Sequence, residues 1–399
     1  MKLPPLPVAA HTLVTALGAG RDTHAAALRA GRSGLTQAPF ETCTLSTWLG
    51  IVDGLDTVRM PAGLESWDCR NHRLAERALR SDGFDGAVAA AVRRHGADRI
   101  GVLVGTSTSG ILSTEIAYRE RDPASGALPA WLDYQRAQDT AAVAGYVRAA
   151  LGLAGPSYVV STACSSSAKA YASAARLITL GVIDAAVVGG VDSLCLTTLY
   201  GFSSLELTST EPCRPYDANR RGISVGEGAA YALLEKPSGS LDADAILLLG
   251  AGESSDAYHM SSPHPDGLGA RLAMARALAD AGLPPSDIDY INLHGTATPS
   301  NDAAEGKAVA ALFGARVPTS STKGATGHTL GAAGAVEAAI SALALRHGFL
   351  PGGANTQTPD PAIAIDYLLA TRNGGVRRAL SNSFGFGGSN CSLVFGRAR

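Results

Sequence analysis

Short apolar runs alternate with Ala-rich stretches of helical spacing along most of the 399 residues. Residues 100–105, 158–160, 185–190 and 228–234 are apolar runs of strand length bounded by small or polar residues, and read as buried strands. Helical spacing occupies 22–30, 69–82, 84–95, 138–151 and the small-residue stretch that follows Cys164. Asp22 or Thr23 is expected to cap the first of these, and Gly31 to end it. The alternation breaks at Pro237-Ser238-Gly239-Ser240 and then resumes. Strands are predicted at 246–250, 288–293, 317–322, 379–383 and 392–395. Helices are predicted at 270–281, closed by Gly282, and at 302–313 and 330–346. Residues 38–68, 111–137 and 200–228 read as irregular, and the chain from residue 8 as a short apolar piece before Gly18. This rhythm means βαβ units and a mainly parallel sheet. It divides the chain into 1–240 and 241–399, two α/β halves that share architecture and no visible sequence repeat.

Composition narrows the setting. The chain is 46% hydrophobic and carries a net charge of −2, so no general field for nucleic acid or membrane is implied. No run approaches the roughly 20 apolar residues needed to span a bilayer, and the Pro-interrupted N-terminus lacks the apolar core of a secretion signal. Cys43, Cys69, Cys164, Cys195, Cys213 and Cys391 are scattered without paired spacing. Reduced thiols in a cytoplasmic setting are expected, and neither a disulfide framework nor a zinc site.

The candidate chemistry gathers at strand ends. Cys164 lies in Ser161-Thr162-Ala163-Cys164-Ser165-Ser166-Ser167, between a strand and a helix. A helix N-terminus carries roughly +0.5 of a charge and unpaired N–H groups, which favour a thiolate and can hold an oxyanion. A packed structural cysteine is the competing reading. His294 opens a Gly/Thr loop after another strand, with Asp302 and Glu305 on the helix beyond. Lys323 and His328 bracket a similar loop after the next strand. Ligands of parallel α/β sheets collect at the carboxyl ends of strands. Two histidines and a lysine placed there with a cysteine favour a reactive thiol.

Two other signals carry less. Gly222-Ile223-Ser224-Val225-Gly226 fits a hydrolase nucleophile elbow, but a charged loop precedes it and a strand follows it, the reverse of what that elbow needs. Arg70, Arg73, Arg77 and Arg80 share one helix face, either as a solvated surface or as a dock for an acidic partner.

Together these stretches resemble the β-ketoacyl-acyl carrier protein synthases, the elongating condensing enzymes of the thiolase fold. The matching segments are Thr-Ala-Cys-Ser-Ser at 162–166, Arg-Pro-Tyr-Asp-Ala-Asn-Arg-Arg-Gly at 214–222 and Asp-Ala-Tyr-His-Met-Ser-Ser-Pro at 256–263. His-Gly-Thr-Ala-Thr-Pro at 294–299, Thr-Lys-Gly-Ala-Thr-Gly-His at 322–328 and Asn-Ser-Phe-Gly-Phe-Gly-Gly-Ser-Asn at 382–390 complete the set. The resemblance implies a five-layered α-β-α-β-α fold and a decarboxylative Claisen condensation with malonyl-carrier protein. No cofactor or metal is implied, since substrates ride on the carrier's phosphopantetheine. Cys164 would be the acyl-accepting nucleophile, and His294 and His328 would hold the malonyl carbonyl. Lys323, near Glu305, would order the histidine loops, with Asp302 and Phe384 in support. The N–H groups of Cys164 and Phe386 would form the oxyanion hole, with Phe386 as gate. Thr106, Ser107, Thr108, Ile111, Asp256 and Met260 would line or gate the acyl pocket, and Arg70 and Arg73 would dock the carrier protein. Family members pair, so a homodimer or a heterodimer with a paralogous subunit is implied. Thr108 stands where fatty-acid elongases often carry a bulky aliphatic, which points towards specialised chains such as aryl polyenes. The alternatives are a non-catalytic chain-length-factor subunit, which lacks the nucleophile, and a thiolase, which uses a second C-terminal cysteine as base.

Overall fold

The computed structural model describes residues 3–239 and 241–398. Its N-terminal half contributes strands β1 (Leu6–Thr15), β2 (Ile100–Gly105), β3 (Ser157–Val160), β4 (Ala185–Asp192) and β5 (Gly228–Glu235). Helices α1 (Arg21–Arg29), α2 (Arg70–Leu79), α3 (Phe84–His95), α4 (Ile111–Arg119), α5 (Ala142–Ala150), α6 (Ser166–Thr179) and α7 (Leu196–Ser204) lie between them. The C-terminal half contributes β6 (Ile246–Ser255), β7 (Tyr290–Asn292), β8 (Pro318–Ser320), β9 (Arg378–Gly385) and β10 (Ser389–Arg397), with α8 (Leu268–Ala281), α9 (Pro299–Phe313) and α10 (Ala333–His347).

The two halves repeat one topology. Across the sheet the N-terminal strands run β3-β2-β4-β5-β1 and the C-terminal strands β8-β7-β9-β10-β6. Within each half the first two pairings in that order are parallel and the last two antiparallel. The halves join where Leu6 and Pro7 of β1 meet Leu248 and Leu247 of β6. The expected turn at 237–240 lies between β5 and β6; Ser240 itself is outside the described residues.

Three apolar clusters build five layers. Outer helices α2, α3 and α5 cover one face of the N-terminal sheet, and α8 and α9 cover the C-terminal sheet. Helices α6 and α10 fill the middle and touch both sheets. The sequence of α10 explains its place: apart from Glu337 and Ser341 it is apolar on every side from Ala333 to Leu345, and it is buried over that length, as a helix without a polar face must be. Gly334 lets α10 approach α6, because a Cβ there would meet Ala168 at 2.7–2.8 Å.

Several expectations change. The first strand is ten residues long; it is held on both sides, by β5 and β6, so tertiary pairing overrides its prolines. Helix α1 begins after Gly20 with no side-chain cap, so neither Asp22 nor Thr23 serves. Helix α4 falls in a stretch read as irregular, and α7 overlaps the start of another. Each buries only one or two residues fully, which leaves little periodic signal.

Candidate active site

Cys164 sits on the turn between β3 and α6, just before the cap residue Ser165. Ala163 holds a left-handed φ of 53°, a strained conformation for a residue with a side chain. Ser166 fixes the turn by accepting the Thr162 N–H at 2.8 Å. The loop after β9 closes over it. Gly385 packs against Thr162 O and Cys164 N, leaving no room for a Cβ, and Phe386 lines the same cavity as Cys164, its N–H favouring the thiolate. The thiol is buried. Burial pushes it up to about 11, against the pull of Lys323 and the Phe386 N–H. Burial thus works against the thiolate that a helix end favours.

His294 follows β7, and its loop hangs on a buried carboxylate. Glu305 accepts the His294 and Gly295 N–H groups at 2.8 Å each, with Asn382 Nδ2 and the Tyr216 hydroxyl at 3.0 Å. Asp302 accepts the N–H groups of Tyr216 and Thr296 at 2.8 and 3.0 Å. Both carboxyls are pushed up by burial, and those donors oppose the shift.

Lys323 lies 3.3 Å from His294 Nδ1 and donates to His294 O at 2.5 Å. Its ion-pair partner is Glu337 of α10, while Glu305, expected near it, holds the His294 main chain from the other side. Burial raises the Glu337 carboxyl to about 7, with Lys323 opposing. Sequence reading missed Glu337. Its signal was a lone acid inside an otherwise apolar helix, a placement too costly unless paired.

His328 Nδ1 accepts the Leu330 N–H at 3.1 Å. With Lys323 donating towards His294 Nδ1, each imidazole carries its proton on Nε2. Burial, then the Lys323 charge, holds both rings well below the usual histidine range, so they are neutral N–H donors. The rings stand edge to face, 5.4 Å apart. Cys164, His294 and His328 present potential metal-ligand atoms within 4.8 Å of one another. The tautomers oppose such a site: binding at Nε2 would move each proton to a nitrogen already facing a donor. The arrangement suits an oxygen acceptor placed between two N–H groups.

One cavity joins these groups to the surface. Cys164, His294, His328, Phe384 and Phe386 form its inner end, and Thr296, Thr298, Ser261 and Asn301 line its polar wall. Phe386 packs 5.9 Å from Phe202, and Phe384 lies 6.0 Å from His294. Asp256 lines the cavity and latches two loops, accepting Asn390 Nδ2 at 2.9 Å while its N–H donates to Gly388 O. Met260 is 78% exposed; only its carbonyl reaches the site loops, accepting the Gly387 N–H.

Thr106, Ser107, Thr108 and Ile111 are absent from this cavity's lining. The Thr106 and Thr108 hydroxyls and the Ser107 and Thr108 N–H groups all donate to one oxygen of buried Asp192, at 2.6–2.8 Å. Its other oxygen accepts the Ala332 N–H. Thr108 thus turns its polarity inward, and Asp192 is a second organising acid that sequence reading missed. Arg70, expected at the surface, is also turned inward onto Glu227. Arg73 is paired with Asp68 in a bidentate bond. Ser224 of the apparent hydrolase elbow is buried and accepts the Cys213 N–H.

The β-ketoacyl synthase N-terminal domain matches residues 70–239, and the C-terminal domain matches 246–357. The mitochondrial 3-oxoacyl-[acyl-carrier-protein] synthase of Arabidopsis thaliana is 42% identical over 63% of this chain and 58% of its own length. The 3-oxoacyl-[acyl-carrier-protein] synthase 2 of Vibrio cholerae is 34% identical over 93% of this chain and 94% of its own. A chain of the complex of the ketosynthase ApeO with its chain length factor ApeC from Xenorhabdus doucetiae superposes with a TM-score of 0.89 at 38% identity, covering 99% of this chain and 98% of that one. With these loops assembled around one thiol, both domain models matched and the Vibrio cholerae relative aligned over 94% of its length, the chain belongs to the β-ketoacyl synthases, condensing enzymes of the thiolase fold.

Proposed function

We propose that this synthase lengthens a carrier-bound acyl or polyketide chain by two carbons through a ping-pong condensation. The observation that carries the reading is the pair of Nε2–H donors of His294 and His328 beside Cys164. In the first half, Cys164 sulfur attacks the acyl thioester and the carrier's phosphopantetheine thiol leaves with the proton. The N–H groups of Cys164 and Phe386 receive the oxyanion. In the second half, malonyl-carrier protein places its thioester oxygen between the histidines. The C–CO2 bond breaks, CO2 leaves, and the enolate stays as long as the two donors hold its oxygen. The enolate carbon attacks the acyl-Cys164 carbonyl, the C–S bond breaks, and the sulfur regains a proton.

The polar wall of Thr296, Thr298 and Asn301 suits the amides of a pantetheine arm. Strand β3 forms the open edge of the sheet, with Tyr158 exposed; Tyr118, Trp131 and Tyr134 are exposed on the segment before it. An open sheet edge with exposed apolar side chains in this part of the chain fits a second synthase-like subunit, either another copy or a paralogue. ApeO, a similar protein with such a partner, favours the paralogue and a specialised chain. The six free cysteines fit a reducing, cytoplasmic setting. Among the described residues no helix is long and apolar enough to cross a membrane.

The test supplies malonyl-carrier protein with and without an acyl donor. CO2 release with a new C–C bond is expected. No condensation, with tight binding to a second synthase-like chain, would favour a non-catalytic partner role.

A further inference from the structure

We propose that Arg70 is a positioning residue for His328, acting through Glu227. Its side chain is 14% exposed, and that of Glu227 is fully buried. They form a bidentate pair, Arg70 Nε to Glu227 Oε2 at 2.8 Å and Nη2 to Oε1 at 2.6 Å. Such a fork fixes direction as well as distance. Glu227 is tied further: Oε1 accepts the Val52 N–H at 2.9 Å and Oε2 the Leu194 N–H at 3.1 Å.

From Glu227 the connection to the active site is main chain. Its N–H donates to Gly50 O, the Gly226 N–H donates to His328 O, and the His328 N–H donates to Ser224 O. Gly50, Gly226 and Gly327 stack here without side chains. A Cβ on Gly50 or Gly226 would come within 2.4–2.5 Å of Thr326 O. With nothing compressible between these backbones, a shift of residues 225–227 moves His328. Cys164 is anchored separately, by Ser166, and His294 by Glu305. Losing the Arg70 fork therefore disturbs one of the two malonyl donors and spares the nucleophile.

This inference rests on the proposed condensation and assigns Arg70 to its second half-reaction. It also separates Arg70 from docking, because malonyl-pantetheine presents no carrier surface. The experiment compares wild type, Arg70→Met and Arg70→Lys in two assays. One is CO2 release from malonyl-pantetheine. The other is acylation of Cys164 by an acyl-pantetheine donor, read by intact mass. For Arg70→Met, CO2 release should fall at least about ten-fold, since small misplacement of a catalytic group is costly, with acylation within about two-fold. Arg70→Lys keeps the charge and loses the fork. It should show the same selective loss at smaller size, and it decides the matter if Arg70→Met does not fold. Equal loss in both assays, no loss in either, or a defect seen only with carrier-bound malonate overturns the inference. A wild type that releases no CO2 overturns the condensation reading itself, and the positioning role with it.

Discussion

The two halves share a strand order and differ in what they do with the same strand ends. After its second strand, the N-terminal half places Thr106-Ser107-Thr108, whose hydroxyls and amides are absorbed by Asp192. After its second strand, the C-terminal half places His294, whose main-chain N–H is absorbed by Glu305 while the ring stays free to face the cavity. After the third strands come Cys164 in one half and Lys323 in the other. After the fourth come Asp192 and the Gly385-Phe386 loop. A buried carboxylate, Asp192 in one half and Glu305 in the other, holds the loop after the second strand. In the N-terminal half that carboxylate takes up side chains as well as backbone, and only Cys164 remains to react. In the C-terminal half it takes the His294 and Gly295 main chain together with the Asn382 and Tyr216 side chains, and the His294 ring is left to line the cavity. A duplicated scaffold thus brings matched loop ends together, and in the proposed condensation residue choice divides the chemistry between the Cys164 nucleophile and enolate stabilisation by His294 and His328.

The sharpest break removes the sole reactive group of the N-terminal half. Cys164→Ala should abolish acyl-enzyme, a loss of at least about 1,000-fold in condensation by analogy with nucleophile removal elsewhere. Intact-mass labelling checks it. A labelled variant would move the nucleophile to another residue.

Next in size is the buried pair that organises the C-terminal half. Lys323→Met leaves Glu337 buried without its cation, a cost of about 3–5 kcal/mol for a broken buried pair, visible in denaturant unfolding. Glu337 sits near 7 and can take up a proton, so the lower end is expected. Lys323→Met/Glu337→Met should recover stability and still fail to release CO2, because His294 loses the donor that sets its tautomer. Recovery of both would make the pair purely structural.

Asp192→Asn probes the silent counterpart. An amide cannot accept all the donors that converge on Asp192, so about 1–3 kcal/mol should be lost to unsatisfied groups. Cys164 acylation should change less than stability. A selective loss of acylation would give the N-terminal loop a direct part in chemistry.

The smallest effects concern pH. With its thiol near 11, Cys164 should be alkylated by iodoacetamide about ten-fold faster per unit as pH rises towards that value, following the thiolate fraction. A plateau near neutrality would mean a lowered thiol. His294 and His328, held below the usual range by burial and Lys323, stay uncharged from about pH 6 to 8. Their donor role should therefore show no titration there.

Much of this division was legible along the chain. Alternating apolar and small-residue stretches located most core strands and helices, and Gly/Thr loops at strand ends marked Cys164, His294, Lys323 and His328. The long-range partners were not legible. Glu337 meets Lys323 because α10 is threaded through the centre, and Asp192 meets Ala332 across the halves. Arg70 looked like a surface charge, since its helix carries a run of arginines and Glu227 lies 157 residues away. Thr108 looked like pocket lining because its loop follows a strand end, and its hydroxyl was claimed by an acid that local pattern does not reveal.

The central claim is that the two halves of the chain perform separable half-reactions. Its most direct test is a crossed pair of measurements, Cys164 acylation and malonyl decarboxylation, on Cys164→Ala and on His294→Ala/His328→Ala. The account expects Cys164→Ala to keep releasing CO2 without forming acyl-enzyme. It expects the double histidine variant to form acyl-enzyme while CO2 release falls by about 100-fold or more. Loss of both activities in both variants, with folding intact, would contradict the division.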